Sequence, residues 1–254
     1  MALVEIVRRD RLGFIVMSRE DKLNALNREM LQELVKAVEQ LESDPETAVI
    51  SLTGRGRAFS AGIDLVEAAK AETQDEVAKL FRDLATLFNK LLTVEKPLII
   101  GVNGAAYGGG AELLWTGDIV IAVRDAKIAW PEARWGLVPP VLASIGPLII
   151  GPQRAAYLAM TSTVITAEEA YGMGLVSRIV DLQSDLWRAI EETASLIMQH
   201  SPQAIRAIKK MIQHSKLNIY TSLGISELEK LSRTREAINA AKSFREKKQP
   251  LYKW

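Results

Sequence analysis

Apolar positions along the chain fall into two rhythms. The runs "LVEIVR" (3–8) and "GFIVMS" (13–18) are short, rich in strand formers and separated by a polar turn, so they predict two adjacent strands. After Asn27 the spacing changes: Met30, Leu31, Leu34, Val38 and Leu41 recur with helical period, and Asn27 is placed as the N-cap. "AVISLTG" (48–54) and "KPLIIGVNG" (96–104) are continuous apolar runs of strand length, the pattern of strands buried on both faces. Between them a charged helical stretch covers about 67–94. "DIVIAV" (118–123), "KIAW" (127–130) and "LVSRIV" (175–180) predict further strands. From 139 onward helices dominate, with Thr166 and Glu169 spaced as a capping box, Gly174 as a helix stop, and helices over 185–199, 203–214 and about 219–246. Strands alternating with helices define an α/β core with a helical tail.

Composition narrows the function. The 254 residues carry a net charge of +1, so no basic field directs the chain to nucleic acid or an anionic membrane. With no cysteine, disulfides, thiolate metal sites and cysteine nucleophiles are excluded, consistent with a cytoplasmic setting. The start "MALVEIVRRD" lacks the apolar core of a signal peptide, and "LVPPVLASIGPLIIG" is too short and proline-broken to span a bilayer. His200 and His214 lie in helical tail segments, so a histidine metal site is poorly supplied and none is expected.

The candidate chemistry centres on "VNGAAYGGGAELLWTGDI" (102–119), where Gly108, Gly109 and Gly110 run into Glu112. A phosphate cradle fits badly, because there is neither a G-x-G-x-x-G nor a P-loop pattern, and Glu112 would repel the phosphate. Close packing of a strand against a helix remains one explanation. The other is that a bared N–H at a helix start stabilises a developing oxyanion, with Glu112 beside it as acid or base. That arrangement needs a second N–H and a second acid. The small-residue turn in "GRAFSAGIDL" (56–65) can present the Ile63 N–H, and "AWPEARWGL" (129–137) supplies Glu132.

Together "KLNALN" (22–27), "AFSAGIDL" (58–65), "NGAAYGGGAELLWTGDI" (103–119), "PEARWGLVP" (131–139), "TAEEAYGMGLVSRIV" (166–180) and the ending "FREKKQPLYKW" resemble the enoyl-CoA hydratase/isomerase family, the crotonases. The resemblance runs over nearly the whole chain. It implies a crotonase-type spiral of ββα units over 1–195, with a C-terminal α-helical trimerisation region over 196–254. It also implies an acyl-CoA substrate, no separate cofactor, and assembly as a homotrimer or a homohexamer built as a dimer of trimers. By position, the N–H groups of Ile63 and Gly109 resemble the family's oxyanion hole, and Glu112 and Glu132 its two catalytic glutamates. Lys22, Ala25, Ala61, Asp64 and Leu65 fall where the family seats CoA, and Phe244 and Lys247 match positions that reach CoA on a neighbouring subunit.

The implied reaction is hydration of an enoyl-CoA to a 3-hydroxyacyl-CoA. "GLVPPVLASIGPLIIG" departs from the glycine-rich loop of straight-chain hydratases and resembles members handling branched or glutaconyl-type acyl groups. Tyr107, Trp115 and Trp135 either line the acyl pocket or fill core. Three other readings stay open: a Δ3,Δ2-enoyl-CoA isomerase on the same fold, a serine hydrolase using Ser60, and a non-enzymatic RNA-binding homologue using the basic, aromatic tail.

Overall fold

The computed structural model describes residues 2–68, 74–220, 224–246, 248 and 250. The chain opens with β1 (Val4–Arg9), β2 (Leu12–Met17) and α1 (Arg28–Ser43). Asn27 caps α1 by accepting the Met30 N–H, and Met30, Leu31, Leu34, Ala37, Val38 and Leu41 form its buried face. Three turns of a spiral follow. The first holds β3 (Val49–Gly54), β4 (Ala58–Ser60), α2 (Leu65–Ala68) and α3 (Gln74–Thr93). The second holds β5 (Leu98–Val102), β6 (Ala105–Tyr107), α4 (Gly109–Glu112) and a 3-10 turn at Leu113–Thr116. The third holds β7 (Ile119–Val123), β8 (Lys127–Ala129), a 3-10 turn at Glu132–Trp135, α5 (Pro140–Ile150) and α6 (Pro152–Thr161). The chain ends in β9 (Ile165–Thr166), α7 (Ala167–Met173), β10 (Arg178–Val180), α8 (Gln183–Met198), α9 (Pro202–Ile219), α10 (Ile225–Ser232) and α11 (Arg235–Arg245).

Each spiral turn gives one strand to each of two sheets. The larger sheet has the order β1-β2-β3-β5-β7-β10 and the smaller β4-β6-β8-β9. All pairings are parallel except the β1–β2 hairpin and β8–β9. The central strands β3 and β5 are buried along their whole length, which explains their unbroken apolar runs.

Two buried amides fix the corner between the sheets. Asn24 donates to the carbonyls of Arg55 and Ala58, while Asn103 accepts the Gly54 N–H and donates to Gly56 and Ala58. The β4 end is thereby held where residues 61–65 enter the site.

Several expected elements divide. The stretch at 67–94 is α2 and α3, with residues 69–73 outside the described set. The expected strand at 175–180 is only β10, because Leu175 and Val176 are tied by their N–H groups to the Ala170 carbonyl at the end of α7. The long helix at 219–246 is α10 and α11. It breaks where Thr234 turns its hydroxyl to the Leu231 carbonyl and accepts the Ala237 N–H, capping a new helix. The Thr166–Glu169 capping box and the left-handed Gly174 (φ 88°) form as expected.

The helical tail closes over its own core. α10 packs on α3 and α5, and α11 packs on α2 and on the turn carrying Glu132. α9 is turned inside out: Lys209 and Gln213 face inward while Ile208, Met211 and Ile212 are exposed. The inward face is anchored by an ion pair of the buried Lys209 with the half-buried Asp118 at 2.7 Å, with Gln213 on the other Asp118 oxygen at 3.1 Å. Among the described residues, no helix is long and apolar enough to cross a membrane.

Candidate active site

Each spiral turn delivers its functional residues just beyond a short strand of the smaller sheet. β4 leads to Ile63, β6 to the glycines and Glu112, and β8 to Glu132. Because β4, β6 and β8 pair side by side, these three segments meet. They line one cavity of about 70 Å³ with Ala61, Ile63, Leu65, Gly108, Gly109, Glu112 and Glu132 on its walls.

The three glycines have separate reasons. Gly108 adopts φ 53°, ψ −127°, a conformation that only glycine takes readily, and a Cβ there would point at Glu132 Oε1, 3.4 Å away. A Cβ on Gly110 would come within 2.5 Å of the Ser60 carbonyl oxygen, so this glycine permits the close packing of α4 against β4. Gly109 is different. A Cβ there would meet only ordinary contacts, one of them the Ile63 nitrogen at 3.6 Å.

Both of the N–H groups in question are left over by the local backbone. Gly109 opens α4, where a helix has no internal acceptor for its first N–H groups. The Leu26–Ile63 bridge uses the Gly62 carbonyl and the Asp64 N–H and passes over the Ile63 N–H.

Glu112 is 1 % exposed and both its oxygens are engaged. Oε2 accepts the Val141 N–H at 2.6 Å and Oε1 the Leu142 N–H at 3.0 Å. These donors are the start of α5, where Pro140 opens the helix and the next N–H groups are free. Burial, and then the charge of Glu132, push the Glu112 carboxyl well above the usual carboxylate range. The two N–H groups and the nearby Trp130 indole pull the other way, the indole from outside hydrogen-bonding geometry. Glu132 is half-buried as a residue, yet its Oε2 is fully buried and finds no partner. Burial pushes its pKa up to about 8. Two neighbouring carboxyls in an apolar wall titrate as a pair and do not both ionise readily.

The expected CoA positions divide between this cavity and a second one along the same 61–67 segment. Ala61 and Leu65 line the first, whereas Lys22 and Asp64 line the second, of about 370 Å³, with Arg19. Asp64 is committed locally: it pairs with Arg19 at 2.7 Å and caps α2 by accepting the Val66 and Glu67 N–H groups. The Ala25 carbonyl accepts a second bond from Arg19. Lys247 lies outside the described residues, and only the backbone of Phe244, within α11, is described. Trp135 lines the acid cavity, Trp115 is core packed against Trp130, and Tyr107 is half-buried.

Sequence reasoning missed Arg19, the Val141 and Leu142 donors, and Trp130 and Tyr220, both fully buried. The Pro139-Pro140 pair was a readable helix-start signal; nothing local linked it to Glu112. Burial, then the Glu112 charge, holds the Tyr220 phenol above its ordinary range. Ser60 is excluded as a nucleophile, since its buried hydroxyl donates to the Asn24 carbonyl and accepts the Gly62 N–H. Both histidines are exposed. Among the described residues no His, Cys, Asp and Glu cluster could hold a metal.

Paired sheets in a spiral, with two N–H turns and two acids meeting beyond the smaller sheet, define the crotonase class of fold. An enoyl-CoA hydratase from Mycobacterium avium subsp. paratuberculosis superposes with a TM-score of 0.86 over 99% of both chains at 20% identity, a likeness of fold alone. The enoyl-CoA hydratase/isomerase family model matches residues 8–254, and the chain belongs to that family. A probable enoyl-CoA hydratase of Mycobacterium leprae is 36% identical over 81% of this chain and 79% of its own. The 2,3-dehydroadipyl-CoA hydratase of Escherichia coli K12 is 30% identical over 100% of this chain and 99% of its own.

Proposed function

We propose that the protein is an enoyl-CoA hydratase, a hydro-lyase that adds water across the α,β double bond of an acyl-CoA thioester. The observation that carries this is the pair Glu112 and Glu132 in one apolar cavity with the Ile63 and Gly109 N–H groups. Family relatives named as hydratases support it. An isomerase needs only one well-placed base, so the second acid favours hydration.

In this reading the thioester oxygen sits between the Ile63 and Gly109 N–H groups, which stabilise the charge that develops there. The pair of acids carries one negative charge. That charge rests on Glu112, whose oxygens accept two N–H bonds, and the proton rests on Glu132, whose Oε2 has no donor. Glu112 takes a proton from water as its oxygen bonds to the β-carbon, and the double-bond electrons move onto the thioester as an enolate. The enolate then takes the Glu132 proton at the α-carbon. A proton returned from Glu112 to Glu132 through the next water resets the site.

CoA lies along residues 61–67, with Ala61 and Leu65 beside the thioester and Lys22, Ala25 and Asp64 along the nucleotide. Asp64 acts there through Arg19, which it orients. Phe244 and Lys247 are assigned to the CoA bound by a neighbouring subunit. The exposed Ile208, Met211 and Ile212 support burial of α9 between subunits in a homotrimer or homohexamer.

The test is Glu112→Gln and Glu132→Gln, each expected to lower kcat about a hundredfold or more with the fold intact. Near-normal hydration by either variant would sink the two-acid mechanism.

A further inference from the structure

Helix α9 carries a polar stripe on its inward side. Lys209, Gln213, Lys216 and Tyr220, the last at its C-terminal cap, recur with helical spacing and so share one face. The stripe runs alongside the segment that leads away from Glu112. Lys209 and Gln213 meet Asp118, and the Lys216 ammonium donates to the carbonyls of Gly117 at 3.1 Å and Trp115 at 3.3 Å. Beyond them the Glu112 charge reaches the buried Tyr220 phenol.

The two carbonyls bonded to Lys216 lie at one end of a short helix whose other end is the site. α4 and the 3-10 turn after it form one helical stretch, 109–116, which opens on Gly109 and has Glu112 as its fourth residue. The last carbonyls of such a stretch have no partner within it, and a cation there has the sign the helix dipole favours. The Thr116 hydroxyl donates to the Leu113 carbonyl, and Lys216 takes the Trp115 carbonyl. On the opposite side Gly117 lies so close to β5 that a Cβ on it would fall 2.6 Å from Ile100 Cγ1. The exit of the helix is therefore clamped between β5 and Lys216.

We propose that Lys216 is a positioning residue for the reaction: by holding the exit of this helix it keeps the Gly109 N–H and Glu112 in register with the Ile63 N–H and Glu132. This rests on the hydratase reading above. Lys216 does not line the acid cavity, so it acts through the backbone it binds. A misplacement of about 1 Å at a reacting group, even one caused at a distance, costs about a hundredfold in rate.

Lys216→Met keeps an aliphatic stem and removes the ammonium. It is compared with the wild type by hydration of trans-2-butenoyl-CoA, by calorimetry with butyryl-CoA, which cannot be hydrated, and by amide hydrogen exchange. The expected result is a kcat lower by about tenfold to a hundredfold, with butyryl-CoA affinity nearly unchanged and faster exchange over residues 109–118. A purely structural role would lower stability and leave the kcat of folded protein alone. A normal kcat in folded Lys216→Met therefore overturns the proposal, as does a loss confined to butyryl-CoA affinity. If the wild type itself hydrates no enoyl-CoA, the hydratase reading falls, and exchange alone decides the hold: faster exchange over 109–118 supports it and unchanged exchange overturns it. The chain has no cysteine, so Lys216→Cys can be alkylated at that one sulfur with bromoethylamine in urea and refolded, restoring an ammonium on a stem of lysine length. The aminoethylated protein should regain at least about tenfold in kcat over the same variant refolded without alkylation. No gain in a folded, alkylated protein overturns the role given to the ammonium.

Discussion

Alanine at Gly109 and alanine at Gly110 are expected to damage the protein in opposite ways, although the positions are adjacent. At Gly109 the new methyl group meets Leu26 Cδ1 at 3.5 Å, the Ile63 nitrogen at 3.6 Å and Ile63 Cγ1 at 3.7 Å. These are ordinary contacts, so nothing must move, and the chain loses less entropy on folding by about 0.5–1 kcal/mol if the full helix preference applies. Stability should therefore hold or rise slightly. The methyl group, however, stands against one of the two donors proposed to receive the thioester oxygen. Alanine keeps its own N–H, so the loss is one of blocked approach to the Ile63 N–H, bounded by the roughly hundredfold to thousandfold in kcat (about 2.7–4 kcal/mol) that losing a donor outright costs. At Gly110 the methyl group falls 2.5 Å from the Ser60 carbonyl oxygen and 2.7 Å from Ser60 Cβ, so backbone must shift. Overpacking of this kind costs about 1–3 kcal/mol. For a chain of this size that lowers Tm by about 2–12 °C, at roughly 2–4 °C per kcal/mol. The assay is paired: thermal unfolding by circular dichroism, and initial rates of hydration followed through loss of the enoyl thioester absorbance. Gly109→Ala should keep its Tm and lose turnover, whereas Gly110→Ala should lose Tm. A Gly109→Ala protein that keeps its rate while melting as early as Gly110→Ala would refute the division, leaving packing as the only purpose of the glycines.

Other consequences can be checked separately. Glu132 has a folded pKa raised to about 8, above its ordinary 4.5, so the stability it contributes is full below the unfolded value, falls as pH rises from there, and is gone once pH has passed through about 8. Hydration, which needs the Glu132 proton, should fall around pH 8 itself; urea midpoints flat from below pH 5 up to 8, or a kcat/KM profile flat through pH 8, would contradict this. Lys209→Ala and Lys209→Met both leave the half-buried Asp118 without this cation, so both should lose stability in urea denaturation, up to about 3–5 kcal/mol, with Met recovering only a minor part. A Lys209→Met protein as stable as the wild type would show that packing, not the ion pair, anchors α9. Light scattering should give a trimer or hexamer, reduced by Met211→Lys on the exposed face of α9; a stable, active monomer would remove the assembly proposal.

The sequence determined what local chemistry can dictate. Apolar runs of strand length became β3, β5 and β7, the helical spacing after Asn27 became α1, and the Thr166–Glu169 capping box closed as its spacing required. Glu112, Glu132 and the turns at Ile63 and Gly109 were legible as candidates, because each lies near a strand end marked by glycine or proline, but that they line one cavity is a tertiary fact. Tertiary structure decided everything that depends on residues distant along the chain. Glu112 is held by N–H groups 29 and 30 positions later, and Asp64 answers an arginine 45 positions earlier. No window of sequence contains both partners. The same limit applies to α9, where the folded chain turns Lys209 and Gln213 inward and leaves Ile208, Met211 and Ile212 exposed. Asp118, just before β7, offers a half-buried carboxylate that Lys209 and Gln213 meet from another element. Hydrophobic spacing alone does not orient a helix: Lys209 turned outward would leave the half-buried Asp118 without its cation, and that pairing, made across 91 residues of chain, is part of what sets the inward face of α9.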